Sequence, residues 1–242
     1  MEKTKIYQVT YQMQNVTGQI TINGFIVTEM TLGGGNGAAV LNPWLIGDNE
    51  LKAEVKKIDP SKPAELIFGL SEMVQGDMVS TTDKGKLFSL ELKNKDFANG
   101  TASAAKKFKS AIDFKRHLLD AGQVKESDIL AYALKIHALY QKKDAEGILR
   151  ESEVKISDYS EAFGGVDMKS ELRDFLTGEV FKSKLDALNP SALRAVAVGP
   201  TNKIWHVMNG KAELIKGKSP DGSTFETAVY VGLLDGKLKI VR

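Results

Sequence analysis

The first third of the chain alternates. Tyr7, Val9, Tyr11 and Met13 are separated by polar residues, the period-two mark of a strand with one buried face. Residues 16–22 and 25–31 flank Asn23-Gly24, a dipeptide that supplies the positive φ angles of a tight hairpin. Residues 32–37 carry four glycines in six positions and read as a loop. No Gly-Lys-Ser/Thr follows them, so they are not a phosphate-binding P-loop, and no βαβ unit follows that would make them a dinucleotide fingerprint. Pro43 excludes a central strand at its own position. Leu51, Ala53 and Val55 alternate again, and residues 64–70 and 86–92 complete a set of six or seven strands, enough for a small sandwich.

The pattern then changes. Residues 93–103 are polar and turn-prone, and beyond them the apolar period becomes 3.6. Residues 104–121 read as a helix with Phe108, Ile112, Leu118 and Leu119 toward a core, stopped by Gly122. Ser127 or Asp128 can cap the next helix, on which Ile129, Ala133, Ile136 and Tyr140 form one apolar row with Leu130, Leu134 and His137 beside it. Asp144 can cap a short helix over 145–150. Asp167 can cap another, with Leu172, Phe175, Leu176 and Val180 on one face. Asn189-Pro190 marks the passage to a closing β-meander. Its runs 195–198, 203–208, 211–216, 225–233 and 237–241 are divided by Gly199-Pro200, Asn209-Gly210, Pro220-Asp221-Gly222 and Asp235-Gly236, and neighbouring strands should pair antiparallel. The expected class is α+β: an N-terminal antiparallel β-sandwich over 1–95, then a domain of helices followed by a curled antiparallel sheet over 104–242, each with its own core.

Composition narrows the function. The 242 residues are 42% hydrophobic and 26% charged, as in an ordinary globular protein. With 33 basic and 31 acidic residues the net charge is +2, which argues against a dedicated nucleic-acid binder. The densest basic cluster, Lys106-Lys107-Phe108-Lys109, reads as a solvated helix face. There is no cysteine, hence no disulfide, thiolate nucleophile or Cys-based zinc site; that fits a reducing compartment or an exported bacterial protein without bridges. No run of 18 apolar residues spans a membrane. Met1-Glu2-Lys3-Thr4 passes directly into a strand pattern, so the favoured compartment, the periplasm or another exported location, requires a leader outside this sequence.

Candidate chemistry is sparse. The histidines are His117, His137 and His206, none at metal-ligand spacing, and no metal or other cofactor is expected. His117 follows Lys115-Arg116 in a solvated context. His137 lies beside an apolar stripe as a packing residue. His206 shares a strand face with Ile204 and Met208; if that face is concave, His206 enters a pocket, and if the pleat is reversed Trp205 and Val207 do. The concave assignment is expected for the His206 face, with no carboxylate within reach, because its hairpin holds no acidic residue before Glu213. Glu151 and Glu153 have cap or surface explanations. Asp158 and Glu161 fall on one helix side, and solvation accounts for them equally well. There is no Gly-x-Ser-x-Gly elbow, no Ser-x-x-Lys context that supports acyl transfer, and nothing about Ser110 or Ser152 that suggests an activated hydroxyl.

Two resemblances follow from these residues. The stretch from Leu41-Asn42-Pro43-Trp44-Leu45 through Gly47-Asp48-Asn49-Glu50-Leu51 to Val55 resembles the loop-then-strand signature of β-sandwich accessory domains, jelly-roll or galactose-binding-like. The long helix from Ile129, its Lys142-Lys143-Asp144 break, and the short helix ending at Arg150 look like the opening of an NTF2-like domain, a resemblance that covers about 127–242. In that superfamily the cone holds a pocket that is catalytic in some members and only binds, or packs another chain, in many. The resemblance therefore implies a pocket and not an activity. The reading is a two-domain, bacterial-type, non-enzymatic binding or interaction protein, whose partner is a protein or a small-molecule ligand. His206, Trp205 and Trp44 are its candidate ligand-binding residues, and no catalytic residue is assigned. Its alternatives are a small-molecule enzyme with His206 as general base, which needs an orienting carboxylate, and a carbohydrate-binding module using an exposed Trp44.

Overall fold

The computed structural model describes residues 4–74 and 85–242; the Met1–Lys3 start and the stretch 75–84 of the first domain reading lie outside them. The fold is α+β. Strand outweighs helix, and every described strand pairing is antiparallel. The chain divides into two compact units, residues 1–114 with 162–164, and residues 115–161 with 165–242.

Among the described residues the first unit contains eight strands: β1 (Lys5–Gln14), β2 (Val16–Ile22), β3 (Phe25–Met30), β4 (Gly34–Val40), β5 (Ile46–Lys57), β6 (Glu65–Val74), β7 (Lys86–Leu92) and β8 (Thr101–Asp113). They form two four-stranded sheets, β4-β1-β6-β7 and β3-β2-β5-β8. One core serves both, with Tyr7, Val9, Leu66 and Phe68 from the first and Ile20, Leu51 and Val55 from the second. The Asn23-Gly24 hairpin has φ of 52° and 79°, as a primed turn requires.

Two expectations fail here. From Gly34 on the glycine run is a strand and not a loop, with only Leu32 and Gly33 left as a bend: β4 pairs with β1 from Gln14↔Gly34 to Gln8↔Val40. Ladder bonds need only backbone, and at Gly37 the outer end of the Tyr11 ring occupies the space a Cβ would take, so a side chain there would have to displace it. The second failure moves the domain boundary. Residues 101–113 are the strand β8, paired along β5, not the start of a helix, so the first unit runs to Phe114 instead of ending near 95. Alanine and lysine favour a helix locally, but Ala102, Ala104, Phe108 and Ile112 pack against the first core on alternate or nearly alternate positions. The lysines at 106, 107 and 109 are exposed as expected, on a strand.

The second unit begins with α1 (Lys115–Leu118), α2 (Glu126–Gln141), α3 (Ala145–Glu151), α4 (Glu153–Ala162) and α5 (Met168–Gly178). Asp144 and Asp167 cap α3 and α5, accepting from the amides of Gly147 and Ser170. Lys125, not Ser127 or Asp128, occupies the cap position of α2. The strands are β9 (Lys184–Leu185), β10 (Leu193–Val198), β11 (Ile204–Asn209), β12 (Ala212–Glu213), β13 (Ile215–Lys218), β14 (Thr224–Thr227), β15 (Val229–Leu234) and β16 (Lys237–Ile240). They are not one meander. The order β10-β11-β15-β16 is one sheet, with β12 on β11, and β14-β13-β9 is another. The expected strands 211–216 and 225–233 each break once, at Leu214 and at Ala228, and the β13–β14 hairpin leaves the main sheet there. The core gathers Ile129, Ala133 and Ile136 of α2 with Leu176, Val207, Val229, Val231 and Ile240.

Candidate functional site

The pleat of β11 decides which side chains of the second unit are available. Val207 lies in the core against α2, and Trp205 packs on that core from its edge. The expected concave face is therefore reversed: the Trp205–Val207 face covers the helix, and Ile204, His206 and Met208 point to the other side of the sheet. Along that other face, cross-strand register places Val196, His206 and Tyr230 in one row and Arg194, Met208 and Glu213 in the next. Near β15 and β16 this face is filled. A side chain at Gly232 would meet Ile204, Val241 and Ala121, and Lys239 reaches Glu153 of α4 at 2.7 Å. Toward β10 it is open, and Val196 is 44% exposed.

His206 is held firmly on this open half. Its ring stacks on Tyr230 at 4.5 Å between centroids and 19° between planes. Its Nε2 lies 2.8 Å from Oε2 of Glu213. This overturns the expectation that His206 has no carboxylate within reach. The break at Leu214 ends β12 at Glu213, and pairing with Met208 sets Glu213 beside His206 on the same face. The pair is half-buried, with side chains 17% and 23% exposed, and neither residue lines any of the three cavities described below.

The other candidates fall elsewhere. Trp205 is a core-edge residue. Trp44, in a short helical turn at Asn42–Trp44 of the first unit, is half-buried with its ring 5.0 Å from that of Phe25, so it presents no open aromatic platform. His137 is buried and hydrogen-bonds to the Asp186 backbone; burial lowers its pKa and outweighs that bond, as suits a packing residue.

Sequence reasoning missed a buried polar network. Asp158 of α4 is 2% exposed, its Oδ1 lies 2.8 Å from Nδ1 of His117, and its Oδ2 accepts from Nη1 of Arg242 at 2.5 Å. Both His117 and Asp158 had read as solvated. Glu151 is also buried and not a surface residue. It accepts from the Tyr132 hydroxyl and the Lys135 ammonium, both at 2.7 Å. Burial raises its pKa, but those two bonds and the nearby lysine charges more than offset the rise and hold it below the ordinary range.

Ser152 and Lys155 have the Ser-x-x-Lys spacing, the context expected not to support acyl transfer. Ser152 is buried, and burial together with the charge of Arg242 lowers the Lys155 pKa to about 8. Yet the Lys155 ammonium sits 5.6 Å from the Tyr159 ring centroid, toward the following turn, and among the described residues no hydrogen bond joins it to Ser152. The spacing produces no nucleophile–base pair. It does produce a pH effect. Between about pH 8 and the ordinary lysine pKa, about 10.4, the unfolded chain holds more proton at this position than the folded one, so stability rises with pH across that window. The melting temperature of the wild type is expected to gain on that of Lys155→Met as pH rises from 8 to 10. Parallel curves would show that Lys155 titrates normally.

Three of the cavities among the described residues stand out. The first, about 940 Å³, lies along the β3-β2-β5-β8 sheet, with Thr17, Gly18, Gln19, Glu54 and Ser103 in its lining. The others, about 320 and 340 Å³, lie at the end of α2 and beside the Asp235-Gly236 turn. No group of three or more histidine, aspartate or glutamate side chains among the described residues could hold a metal ion, and no helix there is long and apolar enough to cross a membrane. No protein-family model, curated protein or solved structure matches the chain.

Proposed function

We propose that the protein is a non-enzymatic binding or interaction protein of bacterial type, exported to the periplasm, that engages its partner through the open half of the β10–β11 sheet face. The observation that carries this is the row Val196–His206–Tyr230. An exposed apolar side chain adjoins a stacked, hydrogen-bonded aromatic pair on the sheet face turned away from α2. Rigid aromatic groups next to exposed apolar surface are what interface centres use. The order of helices and then bent antiparallel sheet supports an NTF2-like second unit, and two sheets around one core support a β-sandwich accessory domain as the first. The cysteine-free composition is compatible with export.

Placing a photo-crosslinking amino acid at position 196 of the full chain tests this in the source cells. One discrete adduct is expected, lost when Met208→Asp is added, while the same group at Leu134 on α2 gives none. Equal labelling from both positions, or none from 196, would sink the reading.

The His206–Glu213 pair favours a second reading, an enzyme with His206 as general base oriented by Glu213. In that case His206→Gln lowers turnover by about 10² or more. Under the binding reading the same variant retains the fold, and its effect is confined to partner affinity.

A further inference from the structure

We propose that the cavity of about 320 Å³ at the C-terminal end of α2 is a binding site for a small carboxylate with an apolar body. This site is separate from the sheet face above and does not depend on it. Its defining feature is Tyr140, which lines the cavity and is 5% exposed. Among the described residues no hydrogen bond engages the Tyr140 hydroxyl. The hydroxyl is not among the fully buried polar atoms that lack a partner, so it keeps access to open space from which a ligand can reach it. A ligand acceptor in the cavity would supply the missing bond. Burial raises the Tyr140 pKa, so the group stays protonated and can donate.

The remaining lining selects the ligand. Val180, Phe181 and Leu185 are apolar walls. Lys143 stands at the rim, just beyond α2, with φ of 56°, and among the described residues it has no ion-pair partner. The Ser183 hydroxyl is already occupied, donating to the Glu179 carbonyl at 2.8 Å and lying 3.0 Å from the Ser219 hydroxyl. The carbonyls of Ala138, Leu139 and Tyr140 at the end of α2 accept from Lys142, Asp144 and Lys143, which blunts the negative end of the helix. Among the described residues no acidic side chain lines the cavity. A phenolic donor and an ammonium together take an anionic acceptor. A neutral alcohol would leave the ammonium unanswered, and an amine would be repelled by it. The volume lies at the small end of ligand sites, about 300–1,000 Å³, so the body is one ring or a short branched chain.

The test is a titration of the ¹⁵N-labelled full chain with benzoate, 4-methylpentanoate, benzyl alcohol and benzylamine, followed by amide shifts. At least one acid is expected to saturate, with shifts concentrated at residues 139–144 and 180–185, and to bind about tenfold or more tighter than the alcohol or amine. Tyr140→Phe should weaken that acid about tenfold. Its melting temperature without ligand should equal or exceed that of the wild type, because the hydroxyl has no internal bond to lose. Lys143→Gln should abolish the preference for acid over alcohol. Failure of both acids to saturate in the millimolar range overturns the proposal. So does tighter binding of the amine, shifts centred elsewhere, or a Tyr140→Phe protein that melts lower yet binds the acid unchanged.

Discussion

Asp158→Ala is expected to destabilise the second unit by about 3–5 kcal/mol, a fall in melting temperature of about 10 °C or more. The Asp158 carboxylate, on α4, is the shared acceptor for α1 and for the second residue after β16: it faces Nδ1 of His117 and Nη1 of Arg242. The Arg242 side chain is fully buried, and Nη1 also donates to the Val241 carbonyl. Removing the carboxylate takes away a charge that compensates a buried guanidinium, and breaking a buried pair from one side is far costlier than forming one is beneficial. Burial already lowers the Arg242 pKa, against which the Asp158 charge works. Two companions separate charge from shape. Asp158→Asn keeps the volume and part of the hydrogen bonding, and should fall between the wild type and Asp158→Ala. Asp158→Leu combined with Arg242→Met removes both charges, and should be less damaging than Asp158→Leu alone, which a double-mutant cycle by denaturant unfolding would read as coupling. Additive losses would mean the two side chains do not depend on each other.

Why this network escaped the sequence is instructive. A buried charge leaves no periodic trace of its own. α4 reads Glu-Val-Lys-Ile-Ser-Asp-Tyr-Ser-Glu-Ala, with polar residues all round, so Asp158 looks no different from Glu161, which is exposed. Its partners are 41 and 84 residues away along the chain. The His206–Glu213 contact is nearer, seven residues apart, and the register of the 204–213 hairpin could have exposed it. The sequence reading treated 211–216 as one strand and so did not place Glu213 opposite Met208. Tyr140 was legible as a core residue but not as one that lines a cavity, because the cavity's other wall comes from 180–185.

What was legible followed from strong local signals. β7 falls on the expected residues, 86–92, and the Asp144 and Asp167 caps were visible from residue type and position alone. The failures are cases in which tertiary pairing overrode propensity. Alanine-rich β8 looks helical because small apolar residues give a weak period-two signal, and only the β5 partner fixes it as a strand. The glycines of β4 look like a loop because a strand without side chains has no pattern at all. The same limit applies to sheet order. Turn residues showed where strands reverse, but not that β11 would pair with β15 after the β13–β14 hairpin had left the sheet.

Ile136→Ala is the second large expected effect, about 2–5 kcal/mol. The apolar row of α2 is the clearest helical pattern in the chain, and the structure buries Ile129, Ala133, Ile136 and Tyr140 on it, while Leu134 on the flank is 43% exposed. Ile136 is wholly buried midway along the row, in the cluster that includes Val207, Val229 and Val231 of the sheet. Truncation to alanine removes three carbons from the junction of helix and sheet and leaves a void, and the loss grows with how little the surroundings relax. A β-sheet face is stiff, so relaxation should be small and the loss should sit in the upper half of the range. Leu134→Ala, on the same helix and of similar chemistry, is the control and should cost well under half as much. Denaturant unfolding of the full chain measures both. Because the chain has two units, the Ile136 variant should shift only the transition of the second, leaving that of the first in place. Equal effects at 134 and 136 would mean that the helix does not present this face to the sheet.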